Sequence, residues 1–184
     1  YNVLESLGIY HVLIAAAGRC VRADKNSKMA KQMMEYMNEK FPQWPTNEYM
    51  QTITGFTAAL KQNIDDNEVV AEYADMAVTD MADNANKMGT DMQSIVDTYQ
   101  SLARGNYQML DNLKLGYGGT KTEMERMIAD ANKVKEANGE MANLSIDSFA
   151  DVTEAIHIIQ NEMGITGTTA KEGLLRSGSQ RALH

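Results

Sequence analysis

From Asn47 onward the apolar residues of this chain recur at steps of three and four, the spacing of one helical face. Met50, Ile53, Phe56 and Leu60 mark a helix that Thr46 or Asn47 caps and that runs to about Lys61. Asp66 or Asn67 opens the next, with Val70, Tyr73, Ala74, Ala77, Met81, Ala85 and Met88 on one continuous face. Thr90 and Gln93 form a capping-box pair ahead of Ile95, Val96, Tyr99 and Leu102. Thr120 and Glu123 repeat the box before Met124, Met127, Ile128, Ala131 and Val134. Ser148 with Asp151 is a looser version, followed by Val152, Ala155, Ile156, Ile159 and Met163.

The N-terminal part reads differently. Val3 to Gly18 predicts an apolar helix, separated by the polar stretch Arg19–Ser27 from a second helix over about Lys28–Glu39. Met29, Met33, Met34 and Met37 supply the apolar stripe of that second helix. Phe41-Pro42-Gln43-Trp44-Pro45 stops it, because each proline removes a backbone donor and restricts its predecessor. Further on, Gly89, Gly105, the cluster Gly116, Gly118 and Gly119, then Gly139, Gly164 and Gly167 punctuate the helices. Glycine just past a helix end suits the left-handed closing residue. No stretch sustains strand alternation, and the glycine spacing interrupts any long heptad run. The expected fold is all-α, a multi-helix bundle of short to medium helices with glycine-rich turns.

Composition narrows the partners. The 184 residues carry 17 Lys and Arg against 25 Asp and Glu, a formal charge of -8. That balance argues against non-specific nucleic-acid binding, which needs a basic face to displace counterions from phosphate. Cys20 stands alone, so it forms no intramolecular disulfide and no cysteine pair clamps a zinc ion. The histidines are His11, His157 and His184. Fourteen methionines against two prolines favour helices with adaptable packing faces. The apolar run Gly8–Gly18 is too short to span a bilayer, which takes ~20 residues. It also lacks the basic start of a secretory signal, so a buried helix is expected there and not export.

Candidate chemistry is sparse. Leu115-Gly116-Tyr117-Gly118-Gly119-Thr120-Lys121-Thr122 places glycines, Lys and Thr before a helix. A phosphate loop, however, needs a glycine directly before the lysine and entry from a strand. Here Thr120 precedes Lys121, and Tyr107 to Leu113 reads as helical. The segment is therefore expected to be a structural hinge, with Gly118 and Gly119 sensitive wherever φ is positive and Lys121 dispensable. Asp65, Asp66, Asp75, Asp80 and Asp83 cluster without the ligand order of a calcium loop, and read as a solvated acidic face. His157, between Ile156 and Ile158, falls at the edge of a helical apolar face, with Glu154 three residues back as a surface partner. Cys20 reads as inert packing. No catalytic, cofactor-binding or metal-binding residue is assigned, no cofactor is expected, and the chain is not read as an enzyme.

Longer strings carry a more specific message. Glu72-Tyr73-Ala74-Asp75-Met76-Ala77 leads into Asp80-Met81-Ala82-Asp83-Asn84-Ala85-Asn86-Lys87-Met88-Gly89-Thr90. Asn106-Tyr107-Gln108-Met109-Leu110-Asp111-Asn112-Leu113-Lys114-Leu115-Gly116-Tyr117-Gly118-Gly119-Thr120-Lys121 follows, then Phe149-Ala150-Asp151-Val152-Thr153-Glu154-Ala155-Ile156-His157. Glu162-Met163-Gly164-Ile165-Thr166-Gly167-Thr168-Thr169-Ala170-Lys171-Glu172 comes near the end. From about Asn47 to Glu172 these strings closely resemble tail tape measure proteins of phages and prophages of Gram-positive bacteria. The resemblance divides the chain into an N-terminal helical segment over 1–45, a tape-measure-like region over 46–173 and a divergent tail over 174–184. Such proteins are usually many hundreds of residues long, so a segment or truncated form is expected. The implied role is structural: templating tail-tube length while occupying the tube lumen. Tail-tube and tail-assembly chaperone proteins are the implied partners, with self-association, no specific nucleic acid and no membrane span. The implied location is the virion tail, or the bacterial cytoplasm during assembly. The competing expectation is a soluble helical interaction module, adaptor or chaperone-like, that binds through its Met faces.

Overall fold

The computed structural model describes residues 55–167. The readings on Val3–Gly18, Lys28–Glu39, Phe41–Pro45, Met50 and Ile53, on Cys20, His11 and His184, and on 174–184 lie outside them. About two thirds of the described residues are helical and none is in a strand, so the all-α expectation holds. After a short helical stretch over 55–60 come α1 (Asn67–Met88), α2 (Met92–Ala103), a 3-10 turn (Leu110–Leu113), α3 (Lys121–Ala137) and α4 (Phe149–Glu162). One compact unit ends at Met76 and a second begins at Ala77, a division that falls inside α1.

In the first unit Phe56 and Leu60 are buried, and Ile64 N–H donates back to the Leu60 carbonyl to close the helical stretch. Asp66 then starts α1. Its side chain accepts from Val69 N–H at 3.4 Å and its carbonyl from Val70 N–H, which satisfies donors the first turn leaves open.

In the second unit α2 begins one residue later than the Thr90–Gln93 pair implies. Asp91 is the cap, its carboxylate accepting from Ser94 N–H at 3.0 Å. A carboxylate there meets both the open donors and the positive helix end, which a threonine hydroxyl meets less well. Gln93 donates to Asp97 instead. The apolar face of α2 is as expected, with Ile95, Val96, Tyr99 and Leu102 all buried.

The helix expected over Tyr107–Leu113 contracts to the 3-10 turn. Its two leucines are buried, and Asn112 and the Met109 carbonyl both meet the Thr98 hydroxyl of α2. Side chain–backbone bonds of this kind compete with helix continuation. Lys114 ends the turn at φ 55° and donates through Nζ to the Met88 carbonyl at the end of α1.

The glycine turn that follows works by closeness, which corrects the expectation for Gly118 and Gly119. Positive φ falls on Gly116, at 87°, and on neither of those two. A Cβ on Gly119 would lie 2.2 Å from the Gln108 carbonyl oxygen, whereas one on Gly118 would meet only ordinary contacts with Glu123. Glu123 accepts from Gly118 N–H while Thr120 accepts from Glu123 N–H, so the expected box at Thr120 is present, displaced by two residues on its return bond.

α3 and α4 pack against each other. Met124, Met127, Ile128 and Ala131 of α3 and Val152, Ala155, Ile156 and Ile159 of α4 are buried. Burial of each large side chain there contributes about 2 kcal/mol relative to exposure. The connection 138–148 is held by Asn132, which donates to the Leu144 carbonyl at 3.1 Å and accepts from Leu144 N–H at 3.0 Å. Ser148 caps α4 as expected, accepting from Asp151 N–H, and Asp151 accepts from Ser145 N–H.

Gly119→Ala is expected to destabilise by about 2–3 kcal/mol, because the new methyl displaces backbone and not a movable side chain. Gly118→Ala should cost under about 1 kcal/mol. Urea unfolding of the two variants measures the contrast, and equal costs would remove the close-approach account of Gly119.

Candidate functional site

Two of the carboxylates expected on a solvated acidic face are not solvated. Asp65 and Asp66 are exposed, but Asp80 and Asp83 are each 1% exposed. They project from α1 one turn apart, and Asn84, fully buried, shares their stripe. Opposite them, α4 presents His157 and Gln160 at the same one-turn spacing. A stripe that reads as acid and amide on one helix therefore meets base and amide on another.

The contacts are specific. His157 Nδ1 donates to both oxygens of Asp80, at 3.0 and 2.9 Å. Gln160 donates to the Asp80 carbonyl at 3.1 Å and accepts from Asn84 Nδ2 at 2.9 Å. Asn84 Nδ2 also donates to the Leu113 carbonyl at 2.9 Å, tying the 3-10 turn to α1. Asp83 accepts from Gly167 N–H at 2.8 Å, which draws the segment after α4 back onto α1. Asn84 Oδ1 is the buried acceptor in this group that has no partner.

The electrostatics follow from the geometry. Burial of an ionised carboxylate costs several kcal/mol unless a cation and hydrogen bonds compensate. The hydrogen bond to Asp80 holds the His157 ring above its ordinary value, against the burial that opposes a positive ring. The charges of Asp80, Glu154 and Asp83 add to it. Behind Asp80, burial first and the Asp80 charge second push the Tyr99 phenol well up, so it stays neutral. His157 is half-buried, as expected, but its partner lies 77 residues away. Glu154, expected to pair with it, is taken by Lys135 of α3.

A carboxylate orienting Nδ1 of a histidine is also the base half of a nucleophilic triad. Among the described residues Asp80 is the hydrogen-bonding partner of the ring, and no hydroxyl or thiol joins it. What the arrangement does chemically is hold two helices together through a charge pair. Among the described residues no group of three or more His, Cys, Asp or Glu converges as metal ligands. No helix there is long and apolar enough to cross a membrane.

The glycine turn, the other motif with chemical promise, has its polar groups engaged internally. Gly118 N–H is taken by Glu123, and the Gly116 carbonyl accepts from Arg126 at 2.8 Å. Arg126 lies 4.2 Å over the Tyr117 ring, and Tyr117 donates to Asp130 at 2.8 Å. Burial and that bond push the Tyr117 phenol up to about 12. Lys121 points to solvent, 3.9 Å from Glu125.

The second unit is thus an all-α unit whose core contains a polar seam between α1 and α4. No family model, curated protein or solved structure matches the chain.

Removing either end of the charge pair should have unequal effects. His157→Ala removes a hydrogen-bond partner of the buried Asp80 carboxylate and should cost about 1–3 kcal/mol at neutral pH. Asp80→Asn leaves a half-exposed histidine free to lose its proton, and should cost less. Because folding raises the His157 pKa, its contribution is full below the ordinary value of 6.5 and is lost as pH rises through the folded value. Chemical denaturation at pH 6 and pH 8 checks both points; equal costs for the two variants would contradict the burial argument.

Proposed function

We propose that this chain is a segment or shortened form of a tail tape measure protein, acting as a non-catalytic ruler inside a phage tail tube. The observation that carries the reading is the set of ordered strings between Glu72 and Glu172. Several of their residues are those on which the packing of the second unit depends. Asp80, Asp83 and Asn84 stand in one string, Gln108, Leu113 and Gly119 in the next, and His157 in the third. The strings that carry the resemblance therefore include residues that determine the fold of the second unit. The net charge of -8 supports a place in a lumen that DNA later follows, since an acidic chain does not grip the genome. Tail-tube and tail-assembly chaperone proteins are the partners this reading calls for, in the cytoplasm during assembly and then in the tail.

A second reading, a helical interaction module, is favoured by two exposed methionines. Met141 is 77% and Met163 45% exposed, and a thioether adapts to varied partner surfaces.

Graded in-frame deletions within residues 47–172 of a full-length tape measure protein carrying this segment separate the two. As extended helix, each residue removed should shorten the tail by about 1.5 Å, so that loss of the whole stretch takes away roughly 190 Å. A segment that stays compact gives a much shallower slope. Tail lengths are read by electron microscopy, and unchanged length at every viable deletion would reject the ruler and favour the interaction module.

A further inference from the structure

The methionines of the second unit stand in graded environments. Met81 of α1 and Met124 and Met127 of α3 are fully buried. Met88, Met92 and Met109 are half-buried, and Met109 Sδ accepts a hydrogen bond from the Ser101 hydroxyl at 3.3 Å. Met163 closes α4 and is 45% exposed, whereas Met141, in the connection 138–148, is 77% exposed. A thioether sulfur is soft and electron-rich, so its oxidation is governed by how freely the oxidant reaches it.

We propose that Met141 is a site of reversible oxidation by peroxides, and that the second unit keeps its fold when this residue carries the oxygen. The inference does not depend on either functional reading.

In the reaction a lone pair of Met141 Sδ attacks one oxygen of hydrogen peroxide. The S–O bond forms as the O–O bond breaks, and the proton of the transferred oxygen passes to the departing one, which leaves as water. Sulfur is oxidised by two electrons and the peroxide is reduced by two. Hydrogen peroxide is uncharged, so the exposed carboxylate of Glu140 beside Met141 does not repel it. Sulfoxide reductases return the product to the thioether.

The bonds that hold the connection do not use this sulfur. Glu140 N–H donates to the Lys135 carbonyl at 2.8 Å, and Leu144 exchanges two hydrogen bonds with Asn132. A polar, chiral sulfoxide at residue 141 therefore stays in water and displaces no packed group. The same oxygen on Met124 or Met127 would place a polar group among the apolar residues of the core, away from the water that would solvate it. At Met109 the Ser101 hydroxyl engages a sulfur lone pair and burial limits approach, which slows its reaction as well.

Treatment of the full chain with dilute hydrogen peroxide at neutral pH, followed in time by tandem mass spectrometry, reads each methionine separately. Among the methionines of residues 77–163, Met141 should gain one oxygen first and Met163 next. Met81, Met124 and Met127 should react at least about tenfold more slowly than Met141, since peroxide reaches them only when the unit opens. Met141→Leu lacks this sulfur but keeps every other methionine, so it isolates the effect of oxygen at 141. The same brief treatment should move the urea midpoint of the unaltered chain no further than that of Met141→Leu. A methionine sulfoxide reductase should then remove the oxygen from Met141. Uptake at Met109, Met124 or Met127 as fast as at Met141, a larger fall in midpoint for the unaltered chain than for Met141→Leu, or a sulfoxide that the reductase does not reverse would each overturn the proposal.

Discussion

A carboxylate with almost no access to water stays ionised inside a helical core only where a cation and hydrogen-bond donors reach it. Asp80 imposes that condition on the second unit. His157 of α4 meets it, which fixes the rotation of α4 so that the ring faces α1. Gln160, one turn further along, then falls opposite Asn84 and the Asp80 carbonyl. Asn84 reaches the Leu113 carbonyl with its other amide hydrogen, and so places the 3-10 turn. One buried charge thereby orients three elements that apolar packing alone would leave free to slide.

Apolar and polar contacts divide the work. The apolar faces of the four helices provide the burial, and unbranched methionines fit several arrangements of their neighbours. Adaptability of that kind gives stability without fixing register. Hydrogen bonds with defined donors and acceptors fix register, at smaller net stabilisation of about 1 kcal/mol each. The double bond between Asn132 and Leu144 does the same for the connection between α3 and α4, and Gly119 against Gln108 for the turn before α3.

The helices were legible because each is encoded locally. Caps at Asp66, Thr120 and Ser148 and the apolar stripes of α2, α3 and α4 need no information from elsewhere in the chain. Thr90 misled by one residue because Asp91, beside it, is the stronger cap. The seam was not legible, since an aspartate on a helix reads as solvated until the partner 77 residues away is known. A signal was present all the same. Asp80 and Asn84 lie four apart, beside Ala77 and Met81 of the apolar stripe, and His157 and Gln160 flank Ile156 and Ile159 in the same way. Polar residues at core-stripe spacing on two helices of one unit mark a buried pair more readily than a surface. The close approach at Gly119 had no such signal, because it depends on where Gln108 lies in space.

Were this chain the ruler proposed above, extension and compactness would make opposite demands on it. Laid end to end, α2, α3 and α4, of 12, 17 and 14 residues, span about 65 Å at the helical rise. A compact unit of the second unit's size is roughly 30 Å across. The three helices end to end are thus about twice as long as the compact unit is wide. An apolar interface alone would resist extension along its whole length, since each exposed methionine or isoleucine is unfavourable in water. Buried Ala77, Val78, Met81 and Ala82 on α1 add to that resistance. Extension in a ruler of the kind proposed would therefore need other contacts to replace that burial.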